Sequence, residues 1–288
     1  CHEVFHAQNF LCDVLEEEAG IKATRKEITT DVAGINHFTW ITRARYRNID
    51  LLELLERFIE KYGEVGHNER GEADSFLDNP FESANKVKMD LFRRYGALAA
   101  AGDRHLVEFL NPNWYLKDEE TIRKFKFART SVDYRIAKRE RRIKELESLK
   151  SSLTALELKA SDEEAVAMIK ALLGFGTLVT NVNLPNVGQI PGFPFGAIVE
   201  TNAVFANDTV VPVVAGELPK PVKSLVLKHV LNLETLFAGI RKRDLDLIFT
   251  AFIHDPLCSK LSFEEAKELF RKMIENTRTY LEPYFSMQ

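Results

Sequence analysis

The chain has 288 residues, 45% apolar and 28% charged, long enough to bury a substantial core. That composition excludes a disordered tail, a collagen-like fibre and a disulfide-dense scaffold. With 39 Lys and Arg against 43 Asp and Glu the formal net charge is -4, so no global basic excess points to a nucleic-acid or anionic-membrane partner.

No apolar run approaches the roughly 18 residues that span a bilayer. The three cysteines, Cys1, Cys12 and Cys258, form no C-x-x-C pair. Their odd number points to reduced thiols and a cytoplasm-like compartment.

In chain order, Val4, Phe5, Phe10, Leu11, Val14 and Leu15 fit one helical face over residues 4–18, with Gly20 as the stop. Residues 21–33 read as extended. A strand follows over 31–40, interrupted at Gly34, so that Asn36 and His37 fall at a turn or bulge. The stripe Leu51, Leu52, Leu54, Leu55, Phe58 and Ile59 predicts a helix over 50–62, and 63–80 reads as a loop. Helical pattern resumes over 84–101 and breaks at Gly102. The charged stretch 118–159 predicts one long helix or two, and Asp162-Glu-Glu164 opens another, its acids at the positive end of the dipole. Three strand-like segments follow at 177–183, 197–201 and 210–214, and 219–288 returns to helix. With no internal repeat, the chain reads as one helix-rich α+β domain.

Two constellations carry chemistry. His2-Glu3-Val4-Phe5-His6 matches H-E-x-x-H, two histidines one helical turn apart around a glutamate base, but no third ligand is marked downstream. Cys1 and His37 form the second, a thiolate and an imidazole that suit a divalent transition metal. Each taken singly has a structural reading as well, a buried apolar thiol or a turn histidine. Gly174-Phe-Gly176 lacks a third glycine and precedes a strand, so it reads as a turn rather than a dinucleotide loop. The basic run Arg123–Lys150 is interleaved with Glu140, Glu145 and Glu147 and reads as a solvated helix, not a nucleic-acid face.

The wording around these residues resembles glycoside hydrolase family 4, the glycosidases that depend on NAD and a divalent metal. The resemblance lies in Cys1-His-Glu-Val4 and Gly34-Ile-Asn-His37. It continues in Arg94-Tyr-Gly96 and Gly102-Asp-Arg-His-Leu-Val-Glu-Phe109, then in Asn183-Leu-Pro-Asn-Val-Gly-Gln-Ile190, Val199-Glu200, Pro212–Pro219 and Asp255-Pro256. It covers nearly the whole chain, and Cys-His-Glu-Val is most similar to the α-galacturonidase branch, beside the α-glucosidases.

The resemblance implies that residues 1–288 are the C-terminal, metal- and substrate-binding part of a lactate-dehydrogenase-like enzyme, an α+β domain with a mixed sheet and many helices. The NAD-binding Rossmann half is absent from this chain, which alone is expected to be inactive. It further implies a cytoplasmic homo-oligomer acting on a small sugar or oligosaccharide, here a uronic acid. In that family NAD takes a hydride from sugar carbon 3, a base removes the proton on carbon 2, the glycosidic oxygen leaves, water adds and the hydride returns. The use of two carboxylates by ordinary glycosidases does not apply. Manganese, or another divalent metal, would be bound by Cys1 and His37 and act as a Lewis acid.

Asn36 is then a sugar or metal-neighbour ligand, Asp103 and Tyr95 are candidates for the base, and His2 and Glu3 lie near the leaving group. Arg104 is the fork for a uronate carboxylate. Asp103 reads equally as a helix cap and Tyr95 as a core aromatic. His6 stands where the family has a small residue and would be a third ligand or a crowding neighbour. A zinc peptidase built on His2, Glu3 and His6, a dehydrogenase-like relative and a non-catalytic carbohydrate-binding or assembly module remain alternatives.

Overall fold

A computed structural model of the chain describes residues 4–68, 74–77, 79–151 and 164–284. Cys1, His2 and Glu3, three of the expected site residues, therefore lie outside the described residues.

The chain starts with α1 (Val4–Ala19), then β1 (Thr29–Ile35), β2 (Phe38–Tyr46) and β3 (Ile49–Asp50), and α2 (Leu51–Tyr62). Next come α3 (Lys86–Tyr95), β4 (Leu98–Ala99) and three short helices, α4 (Asp103–Leu106), α5 (Pro112–Tyr115) and α6 (Glu119–Lys124). They are followed by α7 (Val132–Ser151), α8 (Ala165–Leu172) and the strands β5 (Leu178–Pro185), β6 (Ile198–Ala206) and β7 (Thr209–Pro212). The C-terminal part is helical: α9 (Lys220–Lys242), α10 (Leu245–Ile253), α11 (Phe263–Asn276) and α12 (Arg278–Leu281).

The seven strands form one sheet of order β3-β2-β1-β6-β5, with β4 added on β2 and β7 on β6. Every described pairing is antiparallel, which refines the mixed sheet expected above while the α+β class holds. Alternation along β1 and β2 gives the sheet two apolar faces. On one, Ala33, Ile35, Phe38 and Trp40 pack with Val87 and Val226 of α3 and α9. On the other, Val32, Ile41 and Ala44 pack against α1 and α2 through Phe10, Leu15, Leu55 and Phe58. The result is helix on both sides of a central sheet.

Several boundaries differ from expectation for identifiable reasons. The stretch 97–101, Ala-Leu-Ala-Ala-Ala, has high helix propensity but is not helix. Gly96 takes a left-handed φ of 65° and its N–H donates to the Phe92 carbonyl, closing α3. Leu98 and Ala99 then pair with Ile41 and Trp40, so sheet burial overrides propensity. The charged stretch breaks between α6 and α7, with Lys126 at φ 52°. Residues 20–28 carry no regular structure, so the extended segment begins only at Thr29. Glu164, expected to serve the start of its helix, makes no side-chain cap there. Its carboxylate accepts from Thr180 and pairs with Arg25 at 3.1 Å, tying α8 to the sheet. Gly174 and Gly176 form the expected turn between α8 and β5, both at positive φ.

Candidate active site

The β1–β2 hairpin presents the first site residues. Ile35 pairs with Phe38, so Asn36 and His37 are its two-residue turn, and His37 takes a φ of 65°. The turn is tight because Gly34 at φ 153° lets β1 approach β2: a Cβ there would sit 2.5 Å from the Phe38 carbonyl oxygen. The His37 ring lies 4.8 Å from that of His105 on α4, centroid to centroid.

α4 carries the next group. Asp103 is fully buried, and its two carboxylate oxygens accept from the backbone N–H groups of Val87 and Lys88, both at 3.1 Å. These are orphan donors of the first turn of α3, whose own N-cap residue, Asn85, is left-handed and gives no side-chain cap. Asp103 therefore caps α3 from a distant segment, the role its sequence reading left open beside the base. Burial pushes its carboxyl up to about 6, against the opposing effects of Lys88 and of the two backbone donors. A carboxyl raised that far can exchange a proton near neutral pH.

Arg104 is oriented from three sides. It donates to the Thr130 hydroxyl at 3.1 Å, one nitrogen lies 3.1 Å from His105 Nε2, and its guanidinium sits 4.3 Å over the Phe81 ring. An Arg–His contact of this kind needs His105 to accept at Nε2, leaving Nδ1–H toward Glu108, 3.6 Å away.

A cavity of about 200 Å³ opens among these groups, lined by His6, Asn68, Lys88, Asp103, Arg104 and His105 together with Phe81 and Glu82. The structure thus brings together Asp103, Arg104 and His6, with His37 one ring contact away through His105. It does not bring Tyr95 there. Tyr95 ends α3, nine residues beyond Lys86 and so about 13 Å along the axis from the capped end. It packs edge-on against Trp40 at 5.6 Å, and burial raises its phenol further from a usable range. Tyr95 is half-buried at that end of the helix, packed on the core beside Trp40, and its expected role as the base stays a proposal.

Lys88, His105 and Phe81 were not singled out from the sequence. Lys88 is fully buried, its ammonium 5.7 Å from the Phe10 ring. Its sequence context, Lys86-Val-Lys-Met, resembles an ordinary solvated helix start.

The donor set bears on a metal as follows. His37 supplies an imidazole fixed on a tight turn beside a second imidazole, chemistry that fits a divalent transition metal. Cys1, its expected co-ligand, lies outside the described residues, and among the described residues no group of three or more His, Cys, Asp or Glu gathers around one point. A dinucleotide does not fit at Gly174–Gly176, which leads into a strand rather than a helix.

Residues 32–258 match the model of the family 4 glycosyl hydrolase C-terminal domain, and the chain belongs to that family. An α-galacturonidase of Thermoanaerobacterium saccharolyticum is 50% identical over 98% of this chain and 60% of its own length. A Bacillus subtilis crystal structure described as a glucosidase is 45% identical, with a TM-score of 0.88 over 95% of this chain and 62% of that one. A 6-phospho-α-glucosidase from gut microorganisms, solved with NAD and Mn2+, shares the fold at TM-score 0.70 and 18% identity, over 96% of this chain and 59% of that one. The chain spans about 60% of the length of such relatives.

Proposed function

We propose that this chain supplies the metal- and substrate-binding part of a cytoplasmic α-galacturonidase that depends on NAD and manganese. The observation that carries this reading is the 50% identity to an α-galacturonidase across 98% of the chain, together with a buried Lys88 and an oriented Arg104 in one cavity. A uronate differs from a neutral hexose by one carboxylate, and a preorganised guanidinium is suited to bind it.

When bound, the metal at Cys1 and His37 supplies Lewis-acid polarisation of sugar hydroxyls, and NAD, held outside the described residues, supplies a hydride acceptor for carbon 3. The chain's own residues do the remainder. Arg104, braced by Phe81 and Thr130, binds the substrate carboxylate. Asn36, beside His37 on the turn, donates to a sugar oxygen. Asp103 takes the proton from carbon 2 onto a carboxylate oxygen, its pKa of about 6 letting it accept at neutral pH. Phe10 packs against Lys88, and Lys88 and Asp103 are fully buried, which strengthens charge interactions there.

The test is an assay of the full-length enzyme on p-nitrophenyl α-galacturonide with and without NAD and manganese. Release requiring both, and lowered at least about a hundredfold in Cys1→Ser and in His37→Ala, is expected. Cleavage that survives chelation and NAD removal would overturn the reading.

A further inference from the structure

Three rings from separate segments meet at the base of the hairpin turn that carries His37. Phe38, the next residue, is fully buried and pairs with Ile35 across the turn. Its ring stacks on that of Phe109, with centroids 4.8 Å apart and planes 5° from parallel. Phe109 closes the 3₁₀ turn Val107–Phe109, four residues past His105. His229 of α9 stands nearly perpendicular to both, its ring 5.6 Å from Phe38 and 5.2 Å from Phe109. Its Nε2 lies 2.8 Å from the Phe109 carbonyl oxygen. A carbonyl only accepts, so Nε2 carries the proton and donates. Burial holds this imidazole below its ordinary pKa, against the opposing effect of the Phe109 hydrogen bond, which keeps the ring neutral.

These contacts support His37 from two directions. Its own imidazole meets His105 and its neighbour Phe38 meets Phe109, so both rest on the segment 103–109. Stacked aromatic pairs accept a range of offsets, so the stack alone leaves that segment soft in its position. A hydrogen bond to a carbonyl at a helix end is directional, and it satisfies a group without a partner inside the helix. The donor is itself anchored, because Val222, Val226 and Val230 of α9 sit in the same core as Phe38. We propose that His229 is a positioning residue: its Nε2–H holds Phe109 and, through the Phe109–Phe38 stack, fixes the His37 imidazole for a divalent metal. The inference rests on the proposed role of His37 as a metal ligand. His229 acts only through Phe109 and Phe38 and exchanges no proton in the reaction.

The test is manganese binding to the full-length protein with manganese as the only added ligand, read from the paramagnetic resonance signal of the free ion. His229→Phe keeps a ring in the same space and removes the donor. Its affinity is expected to fall about tenfold, the loss found when a group that orients a metal ligand is removed. His229→Gln places an amide N–H near the Nε2 position and should return affinity to within about twofold of wild type. Phe109→Leu keeps the carbonyl and breaks the stack, so it should weaken binding to the same extent. The His229→Phe/Phe109→Leu double variant should then bind no more weakly than either single one. Urea midpoints are recorded alongside, since a purely structural His229 would move them and leave manganese affinity unchanged. Unchanged affinity in folded His229→Phe, equal losses in His229→Phe and His229→Gln, or additive losses in the double variant each overturn the proposal. Should His229→Phe not fold, His229→Leu removes the same donor with a smaller side chain. A wild type that binds no manganese counts against His37 as a metal ligand and takes the inference with it, whereas equal binding by wild type and His229→Phe overturns the inference alone.

Discussion

A Gly34→Ala variant is expected to lose more than about 3 kcal/mol of stability, the sum of an overpacked contact and a left-handed backbone. The reason is local and geometric. Gly34 sits at φ 153°, and an added Cβ would lie 2.5 Å from the Phe38 carbonyl oxygen and 2.7 Å from the Thr39 Cα, both backbone atoms that cannot swing aside. Relief requires β1 and β2 to part at the pairs Gly34–Thr39 and Ile35–Phe38, which are the base of the turn carrying Asn36 and His37. Activity of the full-length enzyme should therefore fall with stability even where the variant still folds. Urea unfolding with the same transition midpoint as wild type would contradict this account of the hairpin.

The second large effect concerns Asp103. Its removal in Asp103→Ala strands two backbone donors of α3 and leaves Lys88 buried without this carboxylate, a loss of about 3–5 kcal/mol. Asp103→Asn keeps one acceptor oxygen and should cost about 2 kcal/mol, leaving a folded protein in which the proposed chemistry can be tested separately. There kcat is expected to fall at least about a hundredfold.

The pH dependence of the wild type follows with a definite sign. Burial raises the folded carboxyl from 3.8 to about 6, so the stability Asp103 contributes is fully present below the unfolded value and is lost as pH rises through about 6. Relative to Asp103→Asn, the wild type should gain roughly 2–3 kcal/mol between neutral pH and about pH 4. A stability difference between the two proteins that is flat across that window would show that the carboxyl is not perturbed by burial.

Much of the scaffold was legible because it is local. The 3.6-residue spacing of Phe10, Leu11, Val14 and Leu15 is enough to define α1, and the stripe from Leu51 to Ile59 defines α2, which the Asp50 side chain caps at Leu52 N. Gly34 marked the turn correctly, since few other residues accept its φ of 153°. What escaped depends on distant segments. Lys88 is buried by Phe10 of α1 and lies beside Asp103 of α4, and nothing near it in sequence distinguishes it from a solvated lysine. Tyr95 falls within the family-like motif, yet the left-handed Gly96 and its packing on Trp40 keep it at the far end of α3 from the cavity. The alanine run after it looked helical until its pairing with β2 was known. His105 lay inside a quoted motif without a role, because its contact with His37 joins a turn and a helix 68 positions apart in the numbering.

The central claim is that the cavity around Arg104 reads a uronate carboxylate. Its most direct measurement is the kcat/KM of the full-length enzyme on p-nitrophenyl α-galacturonide against p-nitrophenyl α-galactoside, in wild type and Arg104→Gln. The account predicts a strong wild-type preference for the galacturonide, at least about a hundredfold, that collapses in Arg104→Gln chiefly through loss on the acid. Equal rates on both sugars in the wild type, or a preference untouched by the substitution, would contradict it.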